Sequence, residues 1–150
     1  MTGKHLQICF WGTRGSRTPD APSSEFGIHT TCVEVIPVNG HPFFIDLGTA
    51  AGLAAEHALA TGLRDFDVFL THLHSDHVNG IFGFTPLYRP GCQVTIRAAR
   101  PELQKAFATL LGHPFHPVAV SELSAAVAFE QLPSAGMLAL PERELQLSWA

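Results

Sequence analysis

The chain has 150 residues, 46% hydrophobic and 15% charged, with a formal net charge of −4. That length suits one domain with a buried core, and the nine scattered lysines and arginines offer no basic field, so long nucleic acid is not an expected partner. Nothing apolar approaches the roughly 18 uninterrupted residues of a membrane span, and Met1 to His5 lead into a strand pattern without a signal-peptide core; a cytoplasmic protein is expected.

Leu6 to Trp11 is rich in strand formers and runs into the turn Gly12-Thr13-Arg14-Gly15-Ser16. Arg17 to Phe26, rich in Pro and Ser, reads as a loop. Thr31 to Pro37 and Pro42 to Asp46 flank Asn39-Gly40, a strong hairpin signal that predicts two antiparallel strands. Ala50 to Thr61 is made of good helix formers and stops at Gly62, with Leu53 and His57 one turn apart. Asp67 to Thr71 is short and apolar, as a strand buried on both faces would be. Val78 to Tyr88 predicts a short helix, and Gln93 to Ala98 a strand. Pro101 to Leu111 predicts a helix with Pro at its first position, Glu102 in its first turn, and an apolar stripe of Leu103, Phe107, Leu110 and Leu111 before Gly112. Ala126 to Leu132 and Glu144 to Trp149 predict two more strands, the latter alternating Leu145, Leu147 and Trp149 with polar residues. Because that strand runs to Ala150 with no turn after it, a gene fragment is expected.

The three cysteines show no Cys-x-x-Cys spacing, and buried reduced thiols are expected at Cys9, Cys32 and Cys92. Of the nine histidines, three fall within His72-Leu73-His74-Ser75-Asp76-His77, at the carboxyl end of a predicted strand, where layered α/β folds place ligands. Imidazole nitrogens and carboxylate oxygens bind Zn, Mn or Fe at about 2.0 to 2.2 Å. On a short extended turn, His72 and His74 can face one ion while Asp76 and His77 reach a second about 3.5 to 4 Å away. Such a density of uncoordinated imidazoles would leave polar groups without partners, so metal binding is the expectation.

Thr71-His72-Leu73-His74-Ser75-Asp76-His77 resembles the H-x-H-x-D-H signature of the metallo-β-lactamase superfamily. The segments 10–16, Thr30 to Val35, Ile45-Asp46-Leu47-Gly48-Thr49 and Pro86 to Gly91 are similar to its phosphodiesterase-like branch, related to ribonuclease Z and the cyclic-phosphate phosphodiesterases. The resemblance covers nearly the whole chain. It implies an α/β (α+β) fold, the αββα sandwich, with residues 1–150 forming the N-terminal portion of a single domain whose mixed, mainly antiparallel sheet is flanked by helices. Its implied cofactors are two divalent metal ions, Zn first, Mn or Fe as alternatives, with His72 and His74 on the first and Asp76 and His77 on the second; Asp76 is also the candidate catalytic carboxylate. Asp46 would support the loop through hydrogen bonds, or serve only as a turn-forming residue before Gly48. Arg14, Gly15, His29 and His116 are candidate substrate contacts, although a plain tight turn explains the glycines equally. Gly27-Ile28-His29-Thr30 departs from the Gly-Gly-Asn-Thr of relatives, His116 stands where an aromatic residue is usual, and His113 and His116 read as loop residues beside prolines.

The family's second half supplies a third His to the first metal, a bridging Asp and a last His, none of which this chain reaches. The parent is therefore expected to hydrolyse a small phosphodiester with a metal-bridging hydroxide. The alternatives are hydrolysis of a carbonyl ester, as in a lactonase or thioesterase, iron-dependent redox chemistry, or a non-catalytic metal-binding fragment. A homodimer, or association with a missing C-terminal half, is expected through apolar surface left uncovered.

Overall fold

In a computed structural model, residues 5–16, 25–38, 41–140 and 145–149 are described, with the side chains of 138–140 and 145–149 left aside. The strands are β1 (Gln7–Gly12), β2 (Cys32–Ile36), β3 (Phe43–Ile45), β4 (Asp65–Leu70), β5 (Gln93–Ala98), β6 (Ala126–Gln131), β7 (Gly136–Leu140) and β8 (Leu145–Trp149). The α-helices are α1 (Ala51–Ala60), α2 (Ser75–Val78) and α3 (Leu103–Leu110). β1 to β6 form one sheet in sequence order. β1–β2 and β2–β3 are antiparallel, and β3–β4, β4–β5 and β5–β6 are parallel. β7 and β8 pair antiparallel by themselves. The sheet is mixed, as expected, with two antiparallel and three parallel pairings rather than mainly antiparallel ones. The parallel half follows from the connections: a helix or a run of 3-10 turns lies between successive strands from β3 to β6, as parallel pairing requires.

One face of the sheet carries the core. Phe44, Phe66, Val68, Val94 and Ile96 are buried against α1 and the 3-10 helices at Asn79–Gly83 and Thr85–Tyr88, with Phe84 edge-on to both Phe44 and Phe66. The helix expected over 50–61 forms, but its buried stripe is Ala51, Ala54, Ala55, Ala58 and Leu59; Leu53 is exposed. Small side chains let α1 approach the sheet closely, so the apolar residue that stood out in sequence faces solvent. The 78–88 region is two 3-10 helices rather than one helix. α3 begins at Leu103, two residues later than expected, because Glu102 sits at φ +54 and ends a turn instead of starting a helix. Its stripe is as read: Leu103, Phe107 and Leu111 are buried, and Leu110 is partly so. β7 was not anticipated, and the strand expected at 144–149 is its partner. The alternation at Leu145, Leu147 and Trp149 falls on side chains outside those described, as Asn39-Gly40 and most of the Arg17 to Phe26 loop fall outside the described residues. The strands flanking that hairpin do pair antiparallel.

The cysteines are all free thiols; Cys32 and Cys92 are buried, whereas Cys9 is only partly so. Burial, with the charges of Glu34 and Asp46 behind it, pushes the Cys32 thiol from its ordinary 9.0 up to about 12. The thiol is therefore neutral in the folded state well beyond the pH at which the unfolded chain ionises. Full stability holds below pH 9 and falls by about 1.4 kcal/mol per pH unit as the pH rises toward 12. Urea midpoints at pH 8 and pH 10 should diverge more in the wild type than in Cys32→Ala; equal pH slopes would refute this.

Two loops meet backbone to backbone beneath the histidine cluster. The Gly80 N–H donates to Leu47 O at 2.8 Å and the Leu47 N–H to His77 O at 2.8 Å. A Cβ on Gly80 would overlap the Gly48 carbonyl oxygen. Gly80→Ala is accordingly expected to destabilise the fold by about 3 kcal/mol, read as a fall in the urea midpoint.

Candidate metal centre

The cluster lies where β4 gives out. The chain leaves Leu70, runs irregularly through Thr71 to His74, and then turns into α2, so Asp76 and His77 stand on a helical turn rather than on the expected extended one. The His77 N–H closes that turn on His74 O at 2.9 Å. Three imidazoles come together: the His72 ring lies 4.6 Å from that of His74 and 3.9 Å from that of His77.

Asp46 organises them from behind. It is 1% exposed and adopts φ +60, a left-handed conformation that Asp tolerates better than most residues. Its carboxylate accepts the Thr71 N–H at 2.8 Å and the Thr71 hydroxyl at 2.9 to 3.0 Å, and its Oδ2 lies 2.7 Å from His77 Nδ1. A buried carboxylate is an acceptor, so His77 Nδ1 carries the proton. The single Thr71 hydroxyl proton goes to Asp46, which leaves Thr71 Oγ1, 3.1 Å from His72 Nδ1, to accept a proton from that ring too. Both rings then turn an Nε2 lone pair outward.

Asp76 is held from the opposite loop, where the Ser16 N–H donates to its Oδ2 at 2.7 Å. That hydrogen bond holds the Asp76 carboxyl below its ordinary 3.8 against the opposing cost of desolvation, with the neighbouring His77 and His72 assisting. Asp76 Oδ2 is 3.4 Å from His77 Nε2. With His77 protonated this contact is an ion pair; with the ring neutral and its proton on Nδ1, the two atoms are facing electron-pair donors. Ligands each about 2.1 Å from one tetrahedral ion are separated by about 3.4 Å, so this pair fits a shared metal. Among the described residues, no group of three or more His, Cys, Asp or Glu side chains is arranged to hold a metal ion.

The other expected contacts are placed differently. The Thr13 and Arg14 N–H groups are taken by His29 O at 3.1 and 3.0 Å, and Arg14 Nε donates to Gly27 O at 3.1 Å, so this turn serves its own loops and Asp76. Gly15 is exposed with open space where a side chain would begin. His29 is half-buried, its Nδ1 3.2 Å from Thr49 Oγ1. His116 lies against Phe82, ring centres 5.4 Å apart, with Nε2 3.4 Å from Tyr88 Oη; His113 is exposed. Sequence reading missed Ser16 and the hydroxyl of Thr71 as supporting groups. Thr71 adjoins the cluster and was open to recognition; Ser16 is brought to it only by the fold. A second unforeseen pair is the buried Glu34, which accepts the Trp11 indole N–H at 2.9 Å.

No family model matches the sequence, and no curated protein is matched. A solved structure described as a new diphosphatase from the PhnP family is similar in fold, with a TM-score of 0.54 and 20% identity over 90% of this chain. The match covers 53% of that protein, so the chain spans about half its length. The chain has a metallo-β-lactamase-like fold. Among the described residues no helix is long and apolar enough to cross a membrane.

Proposed function

We propose that the chain carries the ligand loop of a metal-dependent hydrolase that cleaves small phosphodiesters in the cytoplasm, with two divalent ions, Zn in preference to Mn or Fe. His72 and His74 would hold the first ion, and Asp76 and His77 the second. The observation that carries this reading is the facing pair His77 Nε2 and Asp76 Oδ2 at 3.4 Å, each fixed from behind by a hydrogen bond to a different loop. When bound, such ions polarise a phosphoryl oxygen and lower the pKa of water. Asp46 orients His77 and, through Thr71, His72; Ser16 keeps Asp76 charged and in place. Two protein ligands per ion fall short of the three that a catalytic zinc usually has, so further donors would complete each site. The similar fold of a protein described as a diphosphatase favours a phosphorus substrate over a lactone or thioester.

Zinc titration of the 150-residue protein should show binding that Asp76→Asn and His77→Ala each weaken by about 10-fold or more. The whole zinc- or manganese-loaded protein should hydrolyse bis-p-nitrophenyl phosphate or a cyclic phosphate. Turnover of lactone or thioester alone would overturn the phosphodiester reading.

A further inference from the structure

A groove unconnected with the ligand roles above lies on the other side of the histidine loop. The register pairs Leu70 with Ala98, so the segments following β4 and β5 leave the sheet side by side at its carboxyl edge. Leu73, between the two histidines, packs against the core, and with Arg100, Pro101, Glu102, Lys105, Ala106 and Thr109 it lines a groove of about 450 Å³. This lies within the range of small-ligand sites, about 300 to 1,000 Å³. Leu73 and Ala106 also line an adjoining apolar recess of about 130 Å³, closed by Val78, Phe107 and Leu110. The two share Leu73 and Ala106, so apolar surface adjoins the charged side chains of the groove.

The charges lining the groove do not cancel. Lys105 Nζ is 3.1 Å from Glu102 Oε1, which pairs those two. Arg100, beside them, is exposed, and among the described residues its guanidinium has no hydrogen bond or ion pair. A planar, always-charged fork lining a groove that adjoins apolar surface suits an organic anion with a short apolar body. We propose that this groove binds such an amphipathic anion, its sulfonate, carboxylate or phosphate on Arg100 and its chain on Leu73 and Ala106. The site is independent of the metal ligands, and its occupant touches the loop that bears them only through Leu73.

The test uses chelator-treated 150-residue protein and hexanesulfonate, whose head group is a poor metal ligand, followed by amide shifts in ¹H–¹⁵N spectra. Saturable shifts are expected at Leu73, Ala106 and Thr109. Arg100→Gln should weaken binding about tenfold, Lys105→Gln by about twofold or less, and neutral hexanol should bind more weakly than the sulfonate. Arg100 is exposed, so its variant should keep the wild-type spectrum elsewhere. Absence of saturable shifts, equal affinity in Arg100→Gln, equal affinity for hexanol, or shifts centred on residues 12–16 would each overturn the proposal.

Discussion

Replacing Asp46 with alanine is expected to destabilise the fold by about 2 kcal/mol, because the Thr71 N–H, the Thr71 hydroxyl and His77 Nδ1 lose one shared, buried acceptor, although exposed Thr71 can turn to water. Alanine at φ +60 adds backbone strain to the loss of hydrogen bonds. Asparagine tolerates that backbone and keeps one carbonyl acceptor, so Asp46→Asn should cost less than half as much in urea unfolding. It presents an amide where a carboxylate was, and so should still weaken zinc binding about 10-fold by releasing the His77 ring. The split between the two readouts separates a positioning residue from a turn-forming one. If Asp46→Asn bound zinc as the wild type does, Asp46 would serve only the turn.

The second large effect concerns the sheet face opposite the core. Register places Ile8 beside Val35, Phe10 beside Val33, Val33 beside Ile45 and Ile45 beside Phe69, so these side chains share one face. Phe10 is 69% and Ile8 51% exposed, and Leu6, just before β1, is exposed as well. Toward β6 the same face is closed by ions: Arg97 pairs with Asp67 and with Glu130, and its guanidinium lies over the Phe69 ring. An apolar strip on an edge strand invites association. The 150-residue protein is expected to self-associate at micromolar concentrations, and Ile8→Thr with Phe10→Glu to shift it to monomer in sedimentation velocity. A wild-type protein that sediments as a monomer throughout the range would refute this.

Much of the fold was legible in sequence because local pattern and tertiary demand coincide there: the strand at 93–98, the pair around Asn39-Gly40 and the stripe of α3 bury residues that their own pattern marks out, and the strand at 126–131 half-buries Val127 and Phe129. The errors fall where neighbours decide. The alanine face of α1 is chosen by the closeness of the sheet. The start of α3 follows a left-handed Glu102, which no propensity signals.

The candidate site divides in the same way. Sequence by itself marked the candidate donors, since His72, His74, Asp76 and His77 fall within six residues and their chemistry is intrinsic to their side chains. Only the tertiary structure decided how they are held. Asp46 and Ser16 are distant from the cluster in sequence, and hydrogen bonds are directional, so neither could be assigned a partner until β3, β4 and the 12–16 turn had been brought to one edge of the sheet. That convergence places His77 Nδ1 against Asp46 and its Nε2 toward Asp76.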